Sequence, residues 1–114
     1  MLVVISPAKK LDFESPQQSS LPYTRPAMLP AAEELIDVAR DLSHKQITKM
    51  MNISDKLVTL NQQRYRDFST PFNKKNAKQA VLSFIGETYL GLDARSFSEE
   101  EHTQAQRYLR ILSG

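Results

Sequence analysis

The apolar residues of this sequence form only two short runs, which limits how much β-sheet the chain can build. Residues 2–5 are LVVI and residues 80–85 are AVLSFI. The first run does not alternate with polar residues, so it predicts a strand that is buried on both faces. This strand is expected to end at Pro7, which cannot donate a ladder hydrogen bond. We predict that the second run is also a strand and that the two lie together in the middle of a small sheet.

The middle of the chain has the periodicity of amphipathic helices. Leu35, Val38 and Leu42 have the spacing of one helical face, which predicts a first helix. A second, shorter helix and then a third helix are predicted after it, with Ser43 and Ser54 as the residues that cap their N-termini. The expected buried residues are Ile47, Met50 and Met51 in the second helix. In the third they are Leu57, Leu60, either Asn61 or Arg64, and Phe68.

A capping box predicts where the last helix begins. Ser98 is followed three residues later by Glu101, so each side chain can bond the backbone N–H of the other residue. We expect this helix to bury Tyr108, Leu109 and Leu112. It is expected to end at Gly114, because glycine is common just past the C-terminus of a helix.

Prolines interrupt the segment of residues 10–30. Four of the six prolines lie there, beside the polar run of residues 17–20, so we predict a long irregular loop. Several helices with two short strands indicate a mixed α/β (α+β) fold. Two short strands make a poor sheet, so the 114 residues are expected to be part of a single larger domain.

Positive charge is concentrated in residues 43–78. That segment has eight basic and two acidic residues, for a net charge of +6, whereas the remainder carries −4 and the whole chain +2. A charge distribution of this kind attracts polyanions. The alternative is an ordinary solvated face with scattered lysines.

The composition excludes several classes of site. The chain has no cysteine, which excludes disulfides, thiolate zinc sites, iron–sulfur clusters and cysteine nucleophiles. No cofactor motif is present. Glu99, Glu100 and His102 lack the clustered spacing of a metal site, so we expect no metal. No stretch approaches the roughly 20 apolar residues of a membrane-spanning helix, and we expect no membrane partner.

The leading candidate for nucleic-acid binding is a helix–turn–helix expected over residues 43–68. A tight turn between helices can present the free N–H groups of the second helix to a phosphate, with Lys49 and Lys56 on either side of it. The alternative is an ordinary helical corner in which Ser54 only caps a helix. The predicted DNA-binding residues are Lys49, Ser54, Lys56, Arg64, Arg66, Lys74, Lys75 and Lys78.

A second candidate site is an anion pocket. Ser6 and Lys9 directly follow the first predicted strand, where α/β proteins often place ligand groups. With Ser54 and Lys56 they would line the pocket of an enzyme that acts on a nucleotide or a nucleobase. Nothing indicates that Lys9 is desolvated, as a lysine base must be, and we assign no catalytic residue.

Four blocks of the sequence resemble, in the same order, the bacterial YaaA (UPF0246) peroxide-stress proteins. They are ISPAK with LDF at residues 5–9 and 11–13, ISDKL at 53–57, FIGETY with GL at 84–89 and 91–92, and LRILSG at 109–114. Lys10 stands where threonine is expected in that family. The family's proteins are more than twice as long, so the resemblance indicates an N-terminal fragment.

The resemblance implies a function as well as a fold. It implies a cytoplasmic bacterial protein that limits oxidative, iron-dependent DNA damage during peroxide stress. It also implies DNA binding through a positively charged cleft and a helix-hairpin-helix element. The expected partner is double-stranded DNA, bound without sequence specificity.

Exposed sheet edges and apolar helix faces further predict that the chain associates with itself.

Overall fold

The computed structural model describes residues 1–16 and 21–113, so the polar run 17–20 and the predicted cap at Gly114 lie outside the described residues. The chain divides into two compact units: unit 1 is Met1–Thr24 with Asn73–Gly114, and unit 2 is Arg25–Phe72. The predicted mixed α/β fold is confirmed. In chain order the elements are β1 (Val3–Ile5), β2 (Lys10–Leu11), α1 (Leu29–Arg40), α2 (His44–Met51), α3 (Asp55–Asp67), α4 (Ala80–Ser83), β3 (Phe84–Ile85), α5 (Glu87–Leu92), a short 3-10 helix (Ala94–Ser96), α6 (Glu99–Tyr108) and β4 (Leu109–Ile111).

Unit 2 consists of the three predicted helices. Helix α3 packs against both α1 and α2. Ile47 of α2 is fully buried, as predicted, but the fully buried residue of α3 is Val58, whereas Leu60 is 42% exposed. The predicted inner face of α1 is also wrong in part, because Leu35 and Val38 are exposed. The spacing of apolar residues predicts where these helices lie, but it does not predict which face of α1 and of α3 is buried.

One arginine joins the end of α1 to the end of α3 within unit 2. The guanidinium of Arg40 donates to the carbonyl oxygens of Tyr65 at 2.9 Å and Phe68 at 2.7 Å. It also pairs with Asp37 one turn earlier on α1, at 2.8 Å. The carbonyls at a helix C-terminus lack intrahelical partners, so Arg40 satisfies groups that would otherwise depend on water.

In unit 1 the first and last strands form a parallel pair. Val3 lies opposite Leu109 and Ile5 opposite Ile111. The last helix therefore ends at Tyr108, and the prediction that it continues through Leu109 and Leu112 is wrong. Pairing with β1 overrides the helical spacing, because the backbone of Leu109–Ile111 pairs with Val3–Ile5 instead of continuing the helix.

The run at residues 80–85 forms a helical turn before it becomes a strand. Its first four residues form α4, where the Ser83 hydroxyl donates to the carbonyl of Gln79 at 2.9 Å. Only Phe84 and Ile85 are extended, and β3 pairs antiparallel with β2. The prediction of one continuous strand beside β1 is wrong, since a short apolar run has no period that distinguishes a buried helix from a strand.

The buried cluster of unit 1 contains no residue of β1. Leu21, Leu82 and Ala94 form a buried cluster. Val3 and Val4 are 41% and 48% exposed, so the prediction that the first strand is buried on both faces is wrong. The irregular loop predicted for residues 10–30 is interrupted at its ends by β2 and by the start of α1. No helix of the described residues is long and apolar enough to cross a membrane.

Candidate functional site

The turn between α2 and α3 is set by capping and by one left-handed residue. Ser43 and Gln46 form a capping box at the start of α2. Helix α2 ends at Asn52, which has a φ of 50° and donates its N–H to the carbonyl of Thr48 at 2.9 Å. Asparagine tolerates this conformation better than most residues, so the chain turns sharply here without glycine. Two helices, α2 and α3, therefore follow one another across a tight turn within residues 43–68.

The start of α3 is arranged differently from the start of α2. Ser54 occupies the N-cap position, but its side chain makes no capping hydrogen bond within the described residues. The first-turn N–H groups of α3 are therefore not capped by this hydroxyl. Asp55 adds one carboxylate beside them, and His44 Nε2 lies 3.8 Å from its Oδ1 atom.

Cationic side chains flank this turn and continue along α3. Lys49 lies in the last turn of α2, Lys56 near the start of α3, and Arg66 in the last turn of α3. All three are exposed, and none of them takes part in an ion pair among the described residues. Arg64 is half-buried beside them. Unit 2 thus has cations that no carboxylate of the described chain neutralises.

The aromatic residues at the end of α3 belong to the packing of unit 2. The Tyr65 hydroxyl contacts the Met51 sulfur at 3.7 Å. The rings of Phe68 and Phe72 meet edge to face, with their centroids 5.4 Å apart. This arrangement favours a structural role for these rings over stacking on nucleic-acid bases.

The three predicted lysines of unit 1 differ sharply in their surroundings. Lys74 and Lys75 are exposed. The side chain of Lys78 is only 3% exposed, and its ammonium donates to the carbonyl oxygens of Asp12 at 3.0 Å and Ser15 at 3.1 Å. We therefore leave Lys78 out of the proposed DNA-binding set, because its ammonium is occupied inside unit 1.

Asp12 is the centre of the cluster that holds Lys78. Its carboxylate accepts from the N–H groups of Glu14 at 3.1 Å and Ser15 at 2.9 Å, and it pairs with Arg95 and Lys78. Hydrogen bonds from Ser15, the guanidinium of Arg95 and the charge of Lys78 hold the pKa of Asp12 well below its usual range. No motif of the sequence predicts this cluster as a whole. An aspartate followed closely by Glu14 and Ser15 is a signal for a side-chain-bonded turn, but nothing in the sequence points to Arg95.

The loop after β1 is fixed by Tyr89. The buried Tyr89 hydroxyl donates to the carbonyl of Ser6 at 2.7 Å, and burial raises the pKa of this tyrosine. A Cβ atom on Gly86 would lie 3.5 Å from that of Ala8. Two of the blocks that carry the family resemblance, at residues 5–9 and 84–89, are therefore packed together.

The four residues of the predicted anion pocket are divided between the units. Ser6 and Lys9 belong to unit 1, and Ser54 and Lys56 belong to unit 2. All four are exposed. No group of three potential metal-binding side chains occurs among the described residues, and Glu101 is engaged in the capping box with Ser98.

Comparison with known proteins identifies similar sequences. The family model H2O2_YaaD, described as peroxide stress protein YaaA, matches residues 1–114. UPF0246 proteins of Colwellia psychrerythraea and Alteromonas mediterranea are 51% and 50% identical, and one of Teredinibacter turnerae is 49% identical. Each match covers the whole of this chain but only 44% of the length of the relative. The chain thus spans less than half the length of these curated relatives.

Proposed function

This chain belongs to the peroxide stress protein YaaA family, and we propose that it binds double-stranded DNA without sequence preference and thereby limits oxidative, iron-dependent damage. The proposed binding surface lies on unit 2, around the turn between α2 and α3. Its residues are Lys49, Ser54, Lys56, Arg64 and Arg66. Lys74 and Lys75 are the phosphate contacts that we propose for unit 1.

The observation that carries the proposal is the set of unneutralised cations beside the turn. Lys49 and Lys56 are exposed and have no ion pair in the described chain. The first-turn N–H groups of α3, the helix that carries Lys56, are not capped by Ser54. Backbone N–H groups at a helix start and nearby lysines are both groups that bind phosphate oxygens. Neither reads base edges, so binding is expected to be independent of sequence.

The salt dependence of binding tests how many phosphates are contacted. If about five cations bind phosphates, the logarithm of the association constant falls with the logarithm of salt concentration with a slope of about −4 to −5. Fluorescence anisotropy of a short labelled duplex, titrated at several salt concentrations, measures this slope. An affinity that does not change with salt contradicts the proposal.

A charge reversal tests where the DNA lies. Lys56→Glu is expected to weaken binding to duplexes of different sequence about equally and to make the salt slope shallower by about 1. Lys10→Glu is the matched control, because Lys10 is exposed in unit 1, is not among the proposed phosphate contacts and undergoes the same change in charge. Equal losses for the two variants would show that only overall charge matters and would contradict the proposed surface.

Protection of DNA is tested separately from binding. Plasmid nicking by ferrous iron and hydrogen peroxide is expected to decrease when the protein is present in excess over its binding sites. Lys56→Glu is expected to lose this protection in parallel with its affinity. Full protection by a variant that no longer binds DNA would contradict the proposed link between the two.

A further inference from the structure

The parallel pair of β1 and β4 leaves apolar surface uncovered in unit 1. Val3 and Val4 point to opposite faces of the strand, because side chains alternate along it, and both are substantially exposed. Leu112, just after β4, is exposed as well. The sheet that contains β1 and β4 has only these two strands within the described residues.

An apolar groove lies beside this sheet. It has a volume of about 330 Å³ and is lined mainly by Val3, Leu92, Phe97, Ala105, Tyr108 and Leu109. Residues from β1, α5, α6 and β4 therefore contribute to one surface. A continuous apolar groove next to a sheet edge is typical of a surface that another polypeptide covers.

Physical chemistry makes an uncovered surface of this kind unfavourable. Parallel strands are normally buried on both faces, and a sheet of two strands is marginal by itself. The curated relatives have more than half of their length outside the region that they share with this chain. Each of these relatives therefore has additional polypeptide that the 114 residues lack.

We propose that the β1–β4 sheet and its adjacent groove are the docking surface for the polypeptide that the longer relatives have outside the shared region. This polypeptide extends the sheet at an unpaired strand edge and covers Val3, Val4 and the groove. A second copy of the chain is the competing occupant, since exposed sheet edges also favour self-association.

Hydrogen exchange in a chimera tests the proposal. In this chimera the present chain replaces the matched region of the Colwellia psychrerythraea relative. Amides of Val3–Ile5 and Leu109–Ile111 are expected to exchange at least about tenfold more slowly in the chimera than in the 114-residue chain. Amides of α3 serve as the internal control and are expected to be unchanged. Equal exchange of the strand amides in the two proteins would overturn the proposal.

A pair of matched substitutions identifies the surface. Val4→Thr keeps the shape of the side chain but adds a hydroxyl, which is tolerated where Val4 is half-exposed and disfavoured where it is covered. It is therefore expected to lower the urea midpoint more in the chimera than in the 114-residue chain. Val38→Thr makes the same change on the exposed face of α1 and is expected to act equally in both. Equal effects of Val4→Thr in the two proteins would overturn the proposal.

Two further measurements cover the remaining outcomes. If the chimera does not fold, the unmatched part of the relative is added to the 114-residue chain as a separate polypeptide. Slower exchange at β1 and β4 then supports the proposal, and no change overturns it.

Sedimentation of the 114-residue chain tests the competing occupant. A dimer whose formation protects the same amides would overturn the proposal in favour of a second copy.

Discussion

At the scale of single residues, Asp12 connects three separate parts of unit 1. Its carboxylate fixes the turn at residues 12–15, and it pairs with Lys78 before α4 and with Arg95 in the 3-10 helix. Charged side chains are seldom this well buried unless they are paired. The cluster is therefore expected to contribute to stability and not to DNA binding.

Lys78→Met tests this assignment. The carbonyls of Asp12 and Ser15 lose their donor, so the free energy of unfolding is expected to fall by about 2 kcal/mol. DNA affinity under conditions where the variant is folded is expected to be unchanged. Urea denaturation and duplex titration measure the two effects. Lys75→Met, at an exposed position, is the control and is expected to leave stability within about 0.5 kcal/mol. A loss of DNA affinity with Lys78→Met would restore this lysine to the binding set.

The low pKa of Asp12 predicts how stability changes in acid. In the unfolded chain the carboxyl titrates near its ordinary pKa of about 3.9, whereas in the folded chain its pKa is lower. The contribution of Asp12 is therefore fully present above about pH 4 and is lost as the pH falls below that value. Urea midpoints measured from neutral pH into acid are expected to fall more steeply for the natural chain than for Asp12→Asn. Parallel curves would contradict the prediction.

At the scale of elements, the N-termini of α2 and α3 look alike in sequence but differ in structure. Each has a serine at the N-cap, yet only Ser43 accepts a hydrogen bond from its own helix. The third residue of α2 is Gln46, whose side chain bonds back to the N–H of Ser43 at 2.8 Å. The corresponding residue of α3 is Leu57, which cannot do so. Ser98 and Glu101 repeat the α2 arrangement in α6, and hydrogen bonds from Ser98 lower the pKa of Glu101.

Alanine substitutions distinguish these two serines. Ser43→Ala is expected to reduce the free energy of unfolding by about 1 kcal/mol, because it removes a formed cap. Ser54→Ala removes no capping bond and is expected to cost no more than a few tenths of a kcal/mol. Urea denaturation followed by circular dichroism measures both. A cost for Ser54→Ala as large as that for Ser43→Ala would show that this hydroxyl caps α3 in solution.

Capping signals and helical periodicity could be recognised from the sequence, but long-range pairing could not. The helices that begin after Ser43 and Ser98 were predicted because capping depends on residues a few positions apart. Helical spacing places Leu109 in α6, because its partner Val3 lies near the other end of the sequence and no local pattern indicates that pairing. The turn cations were predicted from local charge, whereas the burial of Lys78 depends on Asp12, which is close only in the fold.

The side of α3 that is buried can be tested directly. Val58→Ala is expected to cost about 2 kcal/mol, because the methyl groups leave a fully buried site. Leu60→Ala removes a larger side chain but is expected to cost less than about 1 kcal/mol, since Leu60 is partly exposed. Thermal or urea denaturation measures the difference. A larger cost at Leu60 would support the face predicted from the sequence instead of the one observed.

At the scale of the whole molecule, little apolar surface is fully enclosed. The buried hydrophobic residues of the described chain are Leu21, Ile47, Val58, Leu82, Tyr89 and Ala94. Each unit contains only part of this set. The balance between burial and conformational entropy is correspondingly close.

The chain is therefore expected to be marginally stable. We expect a free energy of unfolding at or below about 5 kcal/mol, the lower end of the range for native domains. Urea denaturation at neutral pH, extrapolated to water, measures it. A free energy of unfolding above about 10 kcal/mol would contradict this prediction. It would show that exposure of the apolar side chains of β1 and α1 lowers stability only slightly.

The pairing of β1 with β4 also determines the order in which a newly made chain can acquire its structure. Unit 2 is one continuous stretch, so its three helices can associate as soon as Phe72 has left the ribosome. Unit 1 must wait, because Val3 has no partner until Leu109 has been synthesised. During most of its synthesis the chain therefore presents an unpaired, valine-rich N-terminus to the cell, and chaperones that bind extended apolar segments would meet it there.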